Sequence, residues 1–420
     1  MELKYGSITC PVNLPPERCA AVIAPPSISV DGTPEEIIGA ALDGCADLLA
    51  SFRPGEKVVI VTSDITRSAG SDIYLPLLVE RLVAVGIADR DIEILVALGI
   101  HRPQTEAEHR RILGPLFGRI RVSDHACDDP EQLRFIGTTS NGIEVSINRK
   151  AVEADRLILT GTIGFHYFAG FGGGRKSVLP GIASRSACMA SHFAVLNPGE
   201  GNGKNALAVT GNLEGNPVHQ AMVEGCALAK PAFILNTVLS ADKRVLAAFA
   251  GDWQEAHGAG CRFYRERFSW PLAAKGDLVV ASCGGFPKDI NLIQAHKAME
   301  YASQALKDRG VLILLAECRD GFGNDTFFSW FRHKGLPEFE AALRQRYEIN
   351  GQTAYSLFQK AQRFHVILVS GFPAEQVVEM GMVPETTLDG AIARAIPLLP
   401  HGWCWYLMPE AGSVLPVDIV

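Results

Sequence analysis

The sequence predicts an α/β fold in two domains, the larger one built on a mostly parallel, doubly wound sheet. From residue 33 onward, short apolar runs typical of buried strands alternate with segments of helical periodicity, which is the pattern of βαβ units. The chain has 420 residues, 47% of them apolar, and exceeds the length at which a single core usually keeps growing. A lapse of periodicity around residues 268–276 separates an N-terminal domain, 1–272, from a smaller C-terminal α/β domain, 273–420.

The first helix and strand of the N-terminal domain lead to two charged side chains. Thr33, followed by a proline and two glutamates, is a typical helix N-cap, and apolar residues then recur at helical spacing. The apolar run over 57–61 predicts a buried strand that ends just before Asp64 and Arg67. These two residues either take part in a site at the strand end or pair with each other across the turn.

Two further strands lead to histidines in the same way. A helix over 73–86 is followed by a strand over 91–98, and this strand leads to His101. The strand over 157–159 ends in a Gly-Thr pair and leads to His166. Because parallel strands end at one edge of a sheet, where ligands bind, we expect these side chains to meet there. The alternative for His101 is a role in capping the next helix.

A glycine-rich loop with two adjacent cations follows the third strand. The backbone N–H groups of Gly172, Gly173 and Gly174, together with Arg175, are suited to bind a phosphate, because glycine lets the backbone approach an anion closely. Neither standard nucleotide motif fits this loop. A Walker loop needs glycine before its lysine, whereas Arg175 precedes Lys176 here, and no register matches G-x-G-x-x-G. A plain glycine turn with solvated cations is the alternative interpretation.

The C-terminal half repeats the α/β order on a smaller scale. The predicted elements are strands over 277–282, 310–316 and 365–369 and a helix over 295–309. Gln294 and Lys297 are three residues apart and share a helix face, which we expect to point into an interdomain cleft that holds the active site. The alternative is an exposed start of an amphipathic helix. The tail, 412–420, is apolar enough to pack against one domain, including the N-terminal one.

Composition excludes several classes of protein. The net charge of −7 and pI near 5.9, without a long basic run, argue against nucleic-acid binding. The ten cysteines have neither C-x-x-C pairs nor zinc-type spacing, so a reducing cytoplasm is the expected location. The N-terminus lacks the pattern of a signal peptide, and the longest apolar run, 311–316, is too short to span a membrane. We therefore expect neither export nor membrane insertion.

Four short motifs stand in an order that resembles a known family. They are Asp64-Ile65-Thr66-Arg67, then Gly99-Ile100-His101-Arg102, then the loop from His166 to Gly181 with His192 beyond it, and finally Gln294-Ala295-His296-Lys297. Each tetrapeptide alone is weak, but their order and spacing together are specific. On these residues the chain resembles the nickel-dependent lactate racemase (LarA) family over nearly its whole length.

The resemblance implies a cofactor that composition does not reveal. The family uses a nickel-pincer nucleotide, pyridinium-3-thioamide-5-thiocarboxylic acid mononucleotide, tethered to a lysine through a thioamide. By position Lys176 is that lysine, His192 is the protein ligand to nickel, and Asp64 and Thr66 belong to the cofactor site. The implied protein is a racemase or epimerase of a small 2-hydroxy acid, and cofactor-synthesis proteins are implied partners.

The chemistry of such a reaction assigns roles to the polar residues. The α-hydrogen of a 2-hydroxy acid is hard to remove as a proton, because the carboxylate cannot readily take up more negative charge. If it leaves as hydride while a base takes the hydroxyl proton, one base is needed for each enantiomer, and His101 and His166 are the candidates. Arg67 and Lys297 would bind the substrate carboxylate, and Gln294 would orient the keto oxygen.

Two other functional classes remain open. One is a nucleotide- or phosphate-dependent enzyme that uses Lys176 as a phosphate clamp. The other is a two-lobed anion-binding protein without catalysis. The identity of the 2-hydroxy acid and the oligomeric state are not predicted, and the side chains available for an apolar pocket wall are Ile293, Phe322, Trp330 and Phe372.

Overall fold

The computed structural model describes residues 1–67 and 69–419. Their main elements are two sheets of six strands each, in which most neighbouring strands are parallel. The predicted α/β fold is confirmed. The strands are β1 (Glu2–Tyr5), β2 (Ile8–Pro11), β3 (Cys19–Val22), β4 (Val58–Ser63), β5 (Ile92–Ala97), β6 (Arg121–Asp124), β7 (Leu133–Thr138), β8 (Glu144–Asn148), β9 (Arg156–Ile163), β10 (Phe165–His166), β11 (Gly170–Phe171), β12 (Phe233–Leu239), β13 (Val245–Gly251), β14 (Ser269–Leu272), β15 (Gly276–Ser282), β16 (Leu306–Leu315), β17 (His365–Val369), β18 (Val383–Glu385), β19 (Trp405–Met408) and β20 (Leu415–Asp418).

Helices connect most of these strands. They are α1 (Pro34–Asp43), α2 (Ala46–Leu49), α3 (Ser71–Ala84), α4 (Glu106–Leu113), α5 (Arg149–Glu153), α6 (Arg185–Phe193), α7 (Pro217–Ala229), α8 (Trp253–Phe268), α9 (Leu292–Ala302), α10 (Leu336–Gln345), α11 (Ile349–Arg363), α12 (Ala374–Glu379) and α13 (Leu388–Ala395). Within the described residues, no helix is both long enough and apolar enough to cross a bilayer.

The chain forms two units. The first comprises Ile28–Asn197 and Lys204–Glu266, and the second comprises Met1–Ser27, Pro198–Gly203 and the chain from Arg267 onward. This division differs from the predicted boundary at the N-terminus, because β3 pairs with β19 and so belongs to the second sheet. Ser68 and Val420, the last residue of the predicted C-terminal domain and tail, lie outside the described residues.

The first unit has the strand order β13-β12-β9-β4-β5-β6, parallel throughout except for the antiparallel β12–β13 pair. Its first helix, α1, begins at the predicted N-cap, where Thr33 forms a capping box with Glu36. Ile38 and Leu42, one turn apart, are fully buried in the core against the sheet. The helix ends at Asp43 with Gly44 as its C-cap, and the short helix α2 follows it.

The second unit has the order β18-β17-β16-β15-β19-β3, with every pair parallel. The tail strand β20 pairs with β14, residues that the sequence assigned to the N-terminal domain and that lie in this unit instead. The helix predicted over 295–309 is too long. In the structure α9 ends at Ala302, and β16 already begins at Leu306. Residues 306–309 therefore belong to a strand that pairs with β15, although their local pattern predicts a helix.

A buried hydroxyl network joins strands β4 and β9 beneath the site described below. Tyr74 on α3 is fully buried, and its hydroxyl oxygen lies 2.8 Å from Thr62 Oγ1 and 3.0 Å from Thr160 Oγ1. Thr160 Oγ1 also donates to the carbonyl of Val61. Because these groups are shielded from water, each hydroxyl depends on its neighbours for hydrogen bonds.

Tyr74→Phe should therefore lower the free energy of unfolding of the protein by about 1–3 kcal/mol, because it leaves the Thr62 hydroxyl without this partner. Urea unfolding of the variant and the parent measures the difference. Thr62→Val in a double-mutant cycle is the matched control, since the second substitution should cost less when the Tyr74 hydroxyl is already gone. Additive losses would mean that the two hydroxyls do not interact.

Candidate active site

The carboxyl ends of three adjacent strands of the first sheet carry the predicted polar residues. The strands β9, β4 and β5 are neighbours and parallel, so they end at the same edge. Asp64 follows β4 directly, His101 follows β5 after a short turn, and His166 follows β9. This arrangement is the one that the sequence predicts for a ligand site at a sheet edge.

Asp64 orients His101. Asp64 is 2% exposed, and its Oδ2 makes a short hydrogen bond with His101 Nδ1, while Oδ1 accepts from the backbone N–H and the hydroxyl of Thr66 at 3.1 and 2.6 Å. Burial by itself would raise the pKa of Asp64, but the hydrogen bonds from His101 and Thr66 outweigh it and lower that pKa. A carboxylate on Nδ1 leaves Nε2 of His101 as the ring atom that can take a proton.

Both simpler alternatives for these residues differ from the observed contacts. In the part of the chain that the structure describes, no ion pair joins Asp64 to Arg67; only the backbone N–H of Arg67 binds the Asp64 carbonyl, at 3.1 Å. Helix α4 is capped by Thr105 in a capping box with Glu108, so His101 is not its cap. Asp64 and Thr66 were expected to contact the cofactor, whereas their side chains bind each other and His101.

His166 and Lys176 contact each other, with Nε2 and Nζ 3.3 Å apart. His166 Nδ1 accepts the backbone N–H of Ala169 at 3.3 Å, so a neutral imidazole carries its proton on Nε2 and donates it to Lys176. Lys176 must then offer a lone pair, which only an uncharged amine has. Burial, with the neighbouring charges of Arg67 and Arg175, lowers the pKa of Lys176 well below its ordinary value, in agreement with this geometry.

His192 on α6 offers a metal donor. Its Nδ1 donates to the carbonyl of Cys188 at 2.8 Å, which leaves the lone pair on Nε2. Burial is the largest cause that lowers the pKa of His192, to about 3, so the ring is neutral near pH 7. The ring of Phe168 packs edge-on against both His166 and His192, at centroid distances of 4.5 and 5.2 Å. Among the described residues, no group of three or more His, Cys, Asp or Glu side chains could hold a metal.

Arg67 is exposed at the same edge, and no described carboxylate forms a salt bridge with it. Its charge lies close enough to lower the pKa of Asp64, His166, Lys176 and His192. An unpaired guanidinium in this position is suited to bind an anion bidentately.

Two N–H groups of the glycine loop (residues 169–174), for which the sequence predicts phosphate binding, donate to acceptors within the protein. The N–H of Gly172 donates to the Gly164 carbonyl at 2.8 Å, and that of Gly174 donates to Asn236 Oδ1 at 2.9 Å. Arg175 is buried, and its guanidinium binds carbonyl oxygens of the loop itself. The backbone donors at 172 and 174 and the guanidinium therefore contact acceptors within the protein, and the phosphate-binding role of Gly172, Gly173, Gly174 and Arg175 stays a prediction.

Two glycines in this loop are required by close contacts. Gly173 and Gly174 have φ values of 69° and 58°, in the left-handed region. A Cβ at Gly173 would lie 2.7 Å from Asn236 Oδ1, and a Cβ at Gly174 would lie 2.5 Å from the His257 ring. Sequence reasoning missed Asn236 and His257. An asparagine inside the apolar strand β12 was a usable signal, whereas His257 on α8 had none.

The second unit carries Gln294 and Lys297 on α9. Asn291 caps this helix by accepting from the Gln294 N–H at 3.0 Å. Both side chains are exposed on one face, as their spacing predicts, and Lys297 Nζ donates to Gln294 Oε1 at 2.8 Å.

Of the residues considered for an apolar pocket wall, Phe322 and Phe372 stack on each other with ring centroids 4.7 Å apart. Both rings are partly exposed. The N–H of Ile293 donates to the Phe322 carbonyl at 3.3 Å, so this pair adjoins the first turn of α9. Trp330 is buried and stacks on Phe339 instead.

Comparisons with known proteins agree with this arrangement. The family model of the lactate racemase N-terminal domain matches residues 5–203, and that of the lactate racemase C-terminal domain matches residues 272–414. The chain belongs to the lactate racemase family. The family resemblance inferred from the four motifs is therefore confirmed, and the protein is an enzyme of the isomerase class.

Curated lactate racemases and solved structures support the assignment. The chain is 38% identical to the enzyme of Thermoanaerobacterium thermosaccharolyticum over 80% of its length and 79% of the relative's, and 36% identical to that of Lactiplantibacillus plantarum over 94% of each. The structure of the lactate racemase apoprotein from the first organism matches with a TM-score of 0.88, 33% identity and 99% coverage of both chains. A Thermotoga maritima protein, 18% identical with a TM-score of 0.63 over 93% of this chain and 100% of its own, shares the fold.

Gly174→Ala should destabilise this lactate racemase family member by about 1–3 kcal/mol, because it adds both left-handed backbone strain and a clash with His257. Gly142→Ala is the matched control, since Gly142 also has positive φ but would meet nothing within 4 Å. Thermal unfolding of the two variants separates the clash from the strain. Equal losses would mean that His257 moves aside without cost.

Proposed function

We propose that this protein interconverts the stereoisomers of a small 2-hydroxy acid by proton-coupled hydride transfer, using a nickel-pincer nucleotide attached to Lys176. The observation that carries the proposal is the contact between Lys176 Nζ and His166 Nε2, because it requires an uncharged amine. An uncharged lysine is a nucleophile and can be acylated, which a solvated ammonium resists at neutral pH. The two curated relatives are named for racemising lactate, a compound of this class.

The residues around Lys176 fit such a group. His192 would present its Nε2 to nickel, since Nδ1 is engaged with Cys188. No larger cluster of metal-binding side chains occurs in the described residues, so the remaining donors would belong to the cofactor. When bound, the group would supply an acceptor, and then a donor, for the α-hydrogen as hydride. Thr66 is exposed at this edge and stays a candidate contact for the cofactor.

The two histidines would move the hydroxyl proton. His101 is positioned to act as a base, because Asp64 contacts Nδ1 and orients the ring so that Nε2 is the nitrogen that can take the substrate proton. His166 would serve the other enantiomer. Acylation would remove the basic lone pair of the Lys176 nitrogen, so the His166 Nε2–H would lose its acceptor. His166 could then act as a base at Nε2 once its ring proton moves to Nδ1, which requires the contact between Nδ1 and the Ala169 N–H to break.

Other polar residues would hold the substrate. Arg67 would bind the carboxylate bidentately with its free guanidinium, and Lys297 would add a second cation. Gln294 would orient the keto oxygen through its amide, which Lys297 already contacts. We place the enzyme in the cytoplasm, with cofactor-synthesis proteins as partners and with no role in binding nucleic acid or a membrane.

The alternative functions have weaker support. A phosphate-dependent enzyme would need the loop N–H groups and Arg175 for its ligand, but these donors bind protein acceptors. A two-lobed anion-binding protein would have no need for an uncharged lysine or for a carboxylate behind His101.

Lys176→Ala should abolish covalent attachment, because it removes the only atom proposed to be acylated. Denaturing mass spectrometry of protein made together with the cofactor pathway should detect an excess of several hundred daltons on the wild type and none on the variant.

His192→Ala is the matched control for this experiment. It should keep the mass excess but lose nickel, measured by metal analysis after gel filtration, since it removes a metal donor and leaves Lys176 in place. Wild-type protein that never carries the adduct under these conditions would contradict the proposal.

His101→Ala and His166→Ala should each slow racemisation in both directions by about 10²- to 10⁴-fold, because every turnover uses both bases. In a single turnover, each variant should still convert one enantiomer to bound keto acid, and the two variants should prefer opposite enantiomers. Rapid quenching with chiral analysis measures this. Loss of the same half-reaction in both variants, or loss of an α-deuterium label to solvent, would refute the two-base hydride scheme.

A further inference from the structure

Arg175 is a buried arginine whose Nη1 and Nη2 groups donate to carbonyl oxygens of the glycine loop. It is 1% exposed, and its Nη1 donates to the Phe171 carbonyl and its Nη2 to the Ala169 carbonyl, each at 2.9 Å. Longer contacts from Nη1 reach the carbonyls of Gly172 and Gly173, at 3.3 and 3.4 Å. One guanidinium thus gathers carbonyl oxygens from four of the six residues of the glycine loop.

The charge of Arg175 is held without a carboxylate. Within the described residues no acidic side chain forms a salt bridge with it, and Nε has no hydrogen-bond partner. Burial lowers the pKa of Arg175 to about 10, so the group stays charged near pH 7 and is compensated mainly by carbonyl dipoles. A buried charge is costly unless polar groups surround it, so the guanidinium and the loop carbonyls stabilise each other in this arrangement.

His257 closes the other side of this arrangement. Its Nε2 lies 3.0 Å from both Arg175 Nη1 and the Gly172 carbonyl oxygen. The same ring is the group that a Cβ at Gly174 would strike. The loop is therefore held between a guanidinium and an imidazole, both of which are buried.

The two residues in contact at the proposed attachment site lie just outside the glycine loop. His166 precedes it and Lys176 follows it, and their nitrogen atoms meet at 3.3 Å. We propose that Arg175 is a positioning residue that, with His257, folds the glycine loop and so sets the contact between His166 and Lys176. The inference rests on the proposed function only in taking the contact between His166 and Lys176 to serve cofactor attachment. It replaces the predicted role of Arg175 as a ligand for the cofactor phosphate.

The first test uses the apoprotein. Hydrogen–deuterium exchange of the peptide over residues 165–177, read by mass spectrometry, should be about tenfold faster or more in Arg175→Ala, because the amides of Gly172 and Gly174 lose their fixed geometry. Millimolar guanidinium should reverse the effect by filling the vacated space, whereas methylammonium at the same concentration should not. Arg185→Ala is the control, since that arginine is on adjacent α6 but pairs at the surface with Asp128.

Arg175→Lys keeps the charge and removes the planar fork, so it tests the geometry if Arg175→Ala fails to fold. Its exchange should be accelerated in the same peptide, although less than in the alanine variant, because an ammonium cannot reach all four carbonyls. Wild-type exchange in Arg175→Lys would overturn the inference, as would acceleration spread over the whole first unit. Covalent loading of Lys176 should fall in Arg175→Ala and recover with guanidinium.

A phosphate-binding role gives a different pattern. If apoprotein exchange is unchanged in Arg175→Ala and only the affinity for nicotinic acid mononucleotide falls, Arg175 is a phosphate ligand and the inference is wrong. A wild-type protein that never forms the adduct would sink the proposed function. The exchange result would still decide the role of Arg175, because it is measured without the cofactor.

Discussion

The contact between Lys176 and His166 is the constraint on which the site depends. Lys176 lies near Arg67, Arg175 and the rings of His166 and His192, and no described carboxylate forms a salt bridge with its amine. Burial makes protonation of Lys176 costly, and the positive charges of Arg67 and Arg175 add to that cost. The surroundings therefore favour the uncharged form of the amine, and a hydrogen bond from His166 is compatible with that form.

The sheet supplies the other half of the arrangement. The strands β4, β5 and β9 are parallel neighbours, and their order alone brings Asp64, His101 and His166 to one edge of the sheet. One carboxylate–imidazole pair and one amine–imidazole pair give the two histidines different surroundings. Asp64 contacts His101 at Nδ1, whereas Lys176 contacts His166 at Nε2. The asymmetry between the two histidines follows from these partners and fits a scheme in which each serves one stereoisomer.

Much of this arrangement was predictable from sequence, because it depends on local patterns. Apolar runs placed the strands, and their ends placed Asp64, His101 and His166; the order of the motifs identified the family. What the sequence patterns do not show depends on contacts between segments distant in sequence. The donors of the glycine loop look available for phosphate in sequence, but Asn236 and Gly164 engage two of them, and the loop turns its carbonyls toward Arg175. Likewise, β3 reaches the second sheet only through pairing with β19.

The most direct test of the account is the titration of Lys176 in the apoprotein. Competitive acylation with trace reagent across a pH series, quantified by peptide mass spectrometry, reports the pKa of each lysine amine. We expect Lys176 to react as an uncharged amine at neutral pH, with a pKa well below the 10.5 of an ordinary lysine, while exposed Lys243 serves as the reference for a solvated side chain. A Lys176 that titrates together with Lys243 would contradict the central claim.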